Sequence, residues 1–430
     1  MLKRTVVAGV IALAACAGER TAAGGFDVDA APELTLTEDL RIGSADDPAA
    51  GFAAVRGVDV DRDGNIYVGE SREREIRVYD ARGQFLRRIG QRGSGPGEFE
   101  GLPAFGVAGD TVWTYEGGRR RITLFARNGN VIQTGLVEPV RVPMPPPEGG
   151  IGSVTPFRLR RDGTFVSDMP GITWTMNDPP SGLSEGDTAR VPRVRFAADG
   201  RVIDTIGWDL RPPRPSSTVE RITFNNQRYY VPEPPSIGGQ SVPLIDGRIY
   251  IDAVVAATNR EGRFHVTRVS LTGDTVSRTT FRYTPRAFPD ALLDSLAWQS
   301  ARLPGGSFRV VNGIPVRPVL GADTADAFKA VRAAMSFPAF QHPVQSFALD
   351  RGGELWLRRE DADDGRQRWL VLDANDGLRG TVTLGADRIR ATITDAVREH
   401  VAWAGGDAVI VVELDDLDIP WIVRYRLGAR

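Results

Sequence analysis

Asp59, Asp61, Asp63, Gly64, Ile66 and Glu70 stand at the spacing of an EF-hand calcium loop. Such a loop needs a helix on each side. Here both flanks alternate with period two: Val58 and Val60 precede the Asp63-Gly64 turn, and Ile66 and Val68 follow it. In a strand Asp59 and Asp61 share one face, and Asp-Gly is a hairpin turn. The segment therefore reads as a β-hairpin, with weak calcium binding at the turn as the remaining possibility.

A second set of candidate residues emerges once the chain is aligned on itself. The unit of Asp-Gly turn and following strand recurs six times, at Asp63, Gly109, Asp162, Asp246, Gly352 and Gly405. Four positions after the start of each second strand stand Glu70, Glu116, Asp168, Ala253, Arg359 and Glu413. Four of the six are carboxylates. If the repeats are arranged about an axis, this position forms a ring. Carboxylates converging there, with Arg359 as a further ligand-binding residue, would hold a cation, calcium or another divalent metal, or a basic ligand. Polar residues ending strands at a solvated rim give the same pattern with no site at all.

The elements that must position these residues are short antiparallel strands, four to a repeat. The first repeat runs from Gly57 to Ile89, with turns at Asp63-Gly64 and Arg82-Gly83. An aromatic opens or follows the start of the second strand in five copies, as in Tyr67, Trp113, Phe165, Tyr250 and Trp356. These are expected to pack between repeats. The sixth copy ends at Arg430 without a fourth strand. The segment Leu34 to Ile42 sits upstream of the first repeat as Leu86 to Gly90 sits upstream of the second. It is expected to supply the missing strand and close the ring, which removes open sheet edges.

Repeats of this size mean a propeller. The first copy, with its Gly93-Ser94-Gly95-Pro96-Gly97-Glu98-Phe99 loop, resembles the NHL-repeat propellers. The whole chain is similar to the six-bladed β-propeller lipoproteins of bacteria. The fold expected is therefore all-β, a six-bladed β-propeller over 32–430. Two helical patterns interrupt it within a small insertion at about 285–340, from Pro289 to Arg302 and from Thr324 to Met335. Trp174, Tyr229 and Tyr230 fall in loop-rich stretches and are expected at the surface, as is the Arg119-Arg120-Arg121 triplet.

Residues 1–15 carry Lys3-Arg4, an apolar run from Val6 to Leu13, and Leu13-Ala14-Ala15 before Cys16. This looks like a bacterial lipoprotein signal, too short to span a bilayer. It implies lipidation of Cys16, a membrane partner through that lipid, and a tether over 16–31. Ala17 after the cysteine favours the outer membrane, facing the periplasm. Cys16 is the only cysteine, so no disulfide framework exists. Formal net charge is −2, and losing the two positive charges of Lys3 and Arg4 with a signal takes it to −4. That balance predicts no nucleic-acid partner.

No Gly-x-Ser-x-Gly elbow, phosphate-binding loop or His-Glu-x-x-His helix is present in the sequence. The function expected is a non-catalytic module, a monomer binding a small ligand or a protein at the cell envelope. The alternative is a metal-dependent hydrolase or lyase resembling lactonases, with the carboxylate ring as its cage. A third reading, a scaffold docked through the insertion, requires an exposed apolar stripe on Leu292, Leu293, Leu296 and Phe328.

Overall fold

The computed structural model describes residues 25–47, 50–143, 151–173, 190–210, 221–225, 227–231, 240–243, 247–255, 261–302, 309–311, 314–316, 324–337, 339–349, 353–359, 366–384 and 401–429. Cys16 and the signal expected at 1–15 lie outside these residues, as does Trp174.

Alternating apolar residues between Gly and Asp turns fold as the repeat register predicts. Blade one is Val55–Val60, Ile66–Glu70, Glu75–Tyr79 and Phe85–Ile89, each strand antiparallel to the next. Blade two runs from Ala104–Ala108 to Val131–Leu136 and blade five from Ser346–Leu349 to Leu378–Leu384. Blade three gains a fifth strand, Val140–Pro143, on the free side of Ile151–Leu159. Blade four comprises Gln240–Pro243, Gly247–Val255, Gly262–Ser270 and Thr275–Tyr283. Blade six takes Val401–Gly405, Ala408–Leu414 and Pro420–Ala429 from the C-terminus. Its outer strand is Leu34–Ile42, antiparallel to Pro420–Ala429 from Leu34↔Ala429 to Ile42↔Ile422. The chain is a six-bladed β-propeller, closed by its own N-terminal strand.

The core lies between blades. Tyr67 of blade one packs with Phe99, Val107 and Phe125 of blade two, and Trp113 of blade two packs with Phe165 of blade three. Trp356 joins Val409 and Val411 across blades five and six. Ile410 meets Ile42, Phe52 and Ile66 across the closure. Each fully buried side chain of this kind contributes about 1.5–3 kcal/mol, so the blade junctions carry most of the cohesion.

Three expectations need correction. The tether ends earlier than Ala31. Phe26–Asp27 pairs in parallel with Thr275–Tyr283 on the outside of blade four, and Phe26 stacks on Phe281. Val28 is 1% exposed, and Pro32 and Glu33 bond to Thr381 of blade five. The chain needs this belt because it must travel from blade four to blade six before it can close the ring.

The helices α1 (Asp290–Ala301) and α2 (Thr324–Ala334) form where their patterns predict. Their apolar sides do not form an exposed stripe. Of the four residues named for it only Leu292 is exposed: Leu293 is buried, Leu296 is half-buried, Phe328 stacks on Trp298, and Ala297, Ala327 and Val331 share a small core with Tyr229. Tyr229 belongs to the hairpin Arg221–Phe224 and Gln227–Tyr230, so it is buried and not at the surface. Arg121 is the third correction: it is buried, for the reason given below.

Candidate functional site

The second strands of the blades all end on one face, and Glu70, Glu116 and Glu413 are each held by contacts within their own blade or its entering loop. Glu70 is fully buried. Its carboxylate accepts the backbone N–H groups of Ala53 at 2.8 Å and Ala54 at 3.1 Å, and that of Arg72 at 3.0 Å. Glu116 accepts the N–H of Glu100 at 3.1 Å and pairs with Arg121. Glu413 accepts a hydrogen bond from the Tyr425 hydroxyl at 2.5 Å and one from Arg41 at 2.9 Å. Arg359 donates to Asp29 of the N-terminal belt at 2.8 Å. Burial alone would raise the Asp29 carboxyl, but the Arg359 guanidinium holds it below its ordinary value. Asp168 and Ala253 sit at the expected positions on their strands, opposite Thr155 and Phe264.

The structure does not bring Glu70, Glu116 and Glu413 together. Among the described residues no three His, Cys, Asp or Glu stand close enough to share a metal ion. Glu70 and Glu116 turn back to the loops that enter their own blades, where unsatisfied N–H groups need an acceptor. Glu413 is held by Tyr425 and Arg41 instead. Glu70 and Glu116 are thus clamps on the connections between blades.

The arginines complete these clamps. Arg121 donates to the carbonyls of Ser94, Gly95 and Glu98, fixing the Gly93–Glu98 loop, while Arg77 donates to the carbonyl of Gly51 at 2.7 Å. A buried guanidinium is stable only with such partners. Sequence reasoning missed this role; the signal was the Glu five positions before Arg121 and the register of Arg121 with Thr123 and Phe125, whose shared face is buried.

The EF-hand-like carboxylates are likewise spent on the fold. Asp61, with its side chain fully buried, accepts the N–H groups of Asp63 and Asn65, both at 2.9 Å, and the Tyr67 hydroxyl at 3.1 Å. Arg127 of blade two reaches across to pair with Asp61 and Asp63. Asp59 accepts the N–H of Val107, also from blade two, at 2.7 Å.

Two clefts open on this face between the clamped loops. One, of about 660 Å³, lies between blades six and one and is lined by Phe52, Glu70, Arg77 and Asp418. The other, of about 760 Å³, lies between blades one and two and is lined by Arg56, Leu102, Phe105, Tyr115 and Arg119. Its floor depends on two glycines. A Cβ on Gly69 would sit 2.6 Å from the Phe105 ring and 2.9 Å from Leu102, and one on Gly57 would sit 3.3 Å from the same ring. Gly69→Ala is expected to cost about 1–3 kcal/mol by overpacking this junction. Thermal unfolding of that variant beside Gly101→Ala, where a Cβ meets nothing within 4 Å, checks it; equal melting temperatures would count against the packing argument.

A sequence-family model described as a 6-bladed beta-propeller matches residues 57–111, which span blade one and the start of blade two. No curated relative matches the chain. Solved structures similar to it include a member of the DUF4221 family from Bacteroides vulgatus, at 10% identity and TM-score 0.42, covering 93% of this chain and 99% of that one. BamB from Moraxella catarrhalis is similar at 10% identity and TM-score 0.31, over 91% and 100% of the two chains. Virginiamycin B lyase from Staphylococcus aureus is similar at 10% identity and TM-score 0.32, over 91% and 99%. None of these likenesses bears on what this propeller does.

Proposed function

We propose that the chain is an exported propeller, anchored by a lipid on Cys16, that binds a ligand or a protein at the cell envelope without transforming it. The sequence Leu13-Ala14-Ala15-Cys16 supports the anchor and an outer-membrane position facing the periplasm. No helix among the described residues is long and apolar enough to cross a membrane. The observation that carries the binding reading is the clamping of loops around the two clefts. Glu70, Glu116 and Arg121 are engaged in holding backbone, and what they hold rigid is the boundary of two cavities. A preformed cleft with fixed walls binds without an ordering cost.

Metabolic labelling with palmitate is expected to tag the wild-type chain and not Cys16→Ala. Cross-linking in intact cells is expected to recover a specific partner. An unlabelled chain in the soluble fraction would sink the anchor, and turnover of an ester or lactone by the purified chain would sink the non-catalytic role.

A further inference from the structure

The cleft between blades one and two contains charges of two kinds. Glu116 is neutralised by Arg121, whose remaining N–H groups are taken by backbone carbonyls. Glu100 is paired with Arg119 on the opposite wall. Arg56 is different. It stands on Val55–Val60, the first strand of blade one, with its residue exposed and its side chain in the cleft. No hydrogen bond or ion pair holds its guanidinium among the described residues.

The cleft therefore offers an unneutralised guanidinium fork beside an apolar wall of Leu102, Pro103 and Phe105. The paired N–H groups of the fork match the two oxygens of a planar carboxylate. With Glu100 and Glu116 already paired, the one free positive charge balances one negative charge on a ligand. A cavity of about 760 Å³ has the size of an ordinary small-molecule site. We propose that this cleft binds a monocarboxylate with an apolar body, its carboxylate on Arg56 and its body on Leu102 and Phe105. The assignment rests on the binding-module reading and gives that module its ligand class.

Titration calorimetry of the full chain with octanoate and with 3-phenylpropionate tests it, against the matching neutral amides and inorganic phosphate. Both carboxylates are expected to bind, and the amides to bind at least about tenfold more weakly. Arg56→Ala is expected to lose about tenfold or more in affinity, and Arg56→Lys to fall between, because it keeps the charge but not the fork. Arg56 is exposed, so neither substitution removes a core contact, and an unchanged melting temperature verifies this. The assignment is overturned if neither carboxylate binds, if Arg56→Ala binds them as wild type does, or if phosphate binds more tightly than they do. The two readings fail separately. A partner cross-linked equally by wild type and Arg56→Ala, with no carboxylate bound, overturns the cleft assignment alone. A carboxylate bound and then chemically altered overturns the non-catalytic reading alone.

Discussion

A chain begun after Ile42 is expected to give no cooperative melt and to elute as aggregate, whereas a chain begun at Gly25 melts like the full protein. The first deletion removes Leu34–Ile42, the outer strand of blade six, and leaves Pro420–Ala429 with an open edge along its whole length. It takes Ile42 out of the junction between blades six and one. It strips Asp39 from Arg424 and Arg426, and Asp29 from the buried Arg359. It also removes the Val28 and Phe26 contacts on blade four. These losses all fall on the ring, which cannot close with three strands in its last blade. Open, long edges pair with other chains. The chain begun at Gly25 keeps every one of these contacts. Size-exclusion chromatography and circular-dichroism melts decide the matter. A monomeric chain lacking residues 1–42 that melts within about 5 °C of the full protein, a shift worth roughly 4 kcal/mol at about 2.1 cal/mol/K of unfolding entropy per residue, would show that closure is dispensable.

The second large effect is expected at Asp61. Its carboxylate satisfies two backbone N–H groups, the Asn65 amide, the Tyr67 hydroxyl and Arg127 at once. Asp61→Ala leaves the buried Tyr67 hydroxyl and two backbone N–H groups without their acceptor, while Arg127 keeps Asp63. At about 1–3 kcal/mol for each buried group left unsatisfied, the loss is expected to reach about 3–5 kcal/mol. Asp61→Asn keeps the size and one acceptor oxygen and is expected to cost less, about 1–3 kcal/mol.

The same residue sets an acid limb. Burial on its own would raise the Asp61 carboxyl, but the Asn65 hydrogen bonds and the Arg127 charge outweigh it and hold the pKa below its ordinary 3.8. The folded protein therefore binds that proton less readily than the unfolded chain. The stability it contributes is fully present above pH 3.8 and is lost as pH falls through the lower, folded value. Urea titrations between about pH 5 and 2 should show wild type losing more stability than Asp61→Asn, which has no proton to gain. Parallel acid limbs would mean that Asp61 is not ionised in the fold.

The ring was readable because its turns are chemically marked. Asp63-Gly64 and Arg82-Gly83 demand a positive φ at the second residue, and Gly64 and Gly83 adopt 82° and 81°. The closing strand could be inferred because Leu40 to Gly43 repeats the context of Leu86 to Gly90. The belt from Phe26 to Pro32 could not. It is two residues of strand and a buried valine, with no period to detect, and its partners Arg282 and Arg359 lie hundreds of residues away. The hairpin of Arg221–Phe224 and Gln227–Tyr230 was hidden for the same reason: its apolar face is completed by helices that come later in the chain.

The site was readable in position and not in direction. The repeat register places Glu70, Glu116 and Glu413 at equivalent strand ends. Whether such a side chain turns to the axis or back to a loop depends on which N–H groups that loop leaves unsatisfied. That is a property of the connections between repeats, where the register is weakest. Arg56 gave no sequence signal at all, since one exposed arginine on a strand is ordinary until the blade beside it leaves a cavity there.

The pairing of Leu34–Ile42 with Pro420–Ala429 also has a bearing on time. A ribosome supplies about 5–20 residues per second, and Asp39 and Arg424 are 385 positions apart. The strand that seals the circle is made among the first and waits roughly 20–80 s for its partner. Through that interval five blades can assemble as an open arc with two sticky ends. Quality control has this window in which to act, and slow synthesis or slow delivery of the strands from Val401 to Ala429 lengthens it. A lesion near the C-terminus would thus be felt first as a fate of the nascent chain, before any binding is affected.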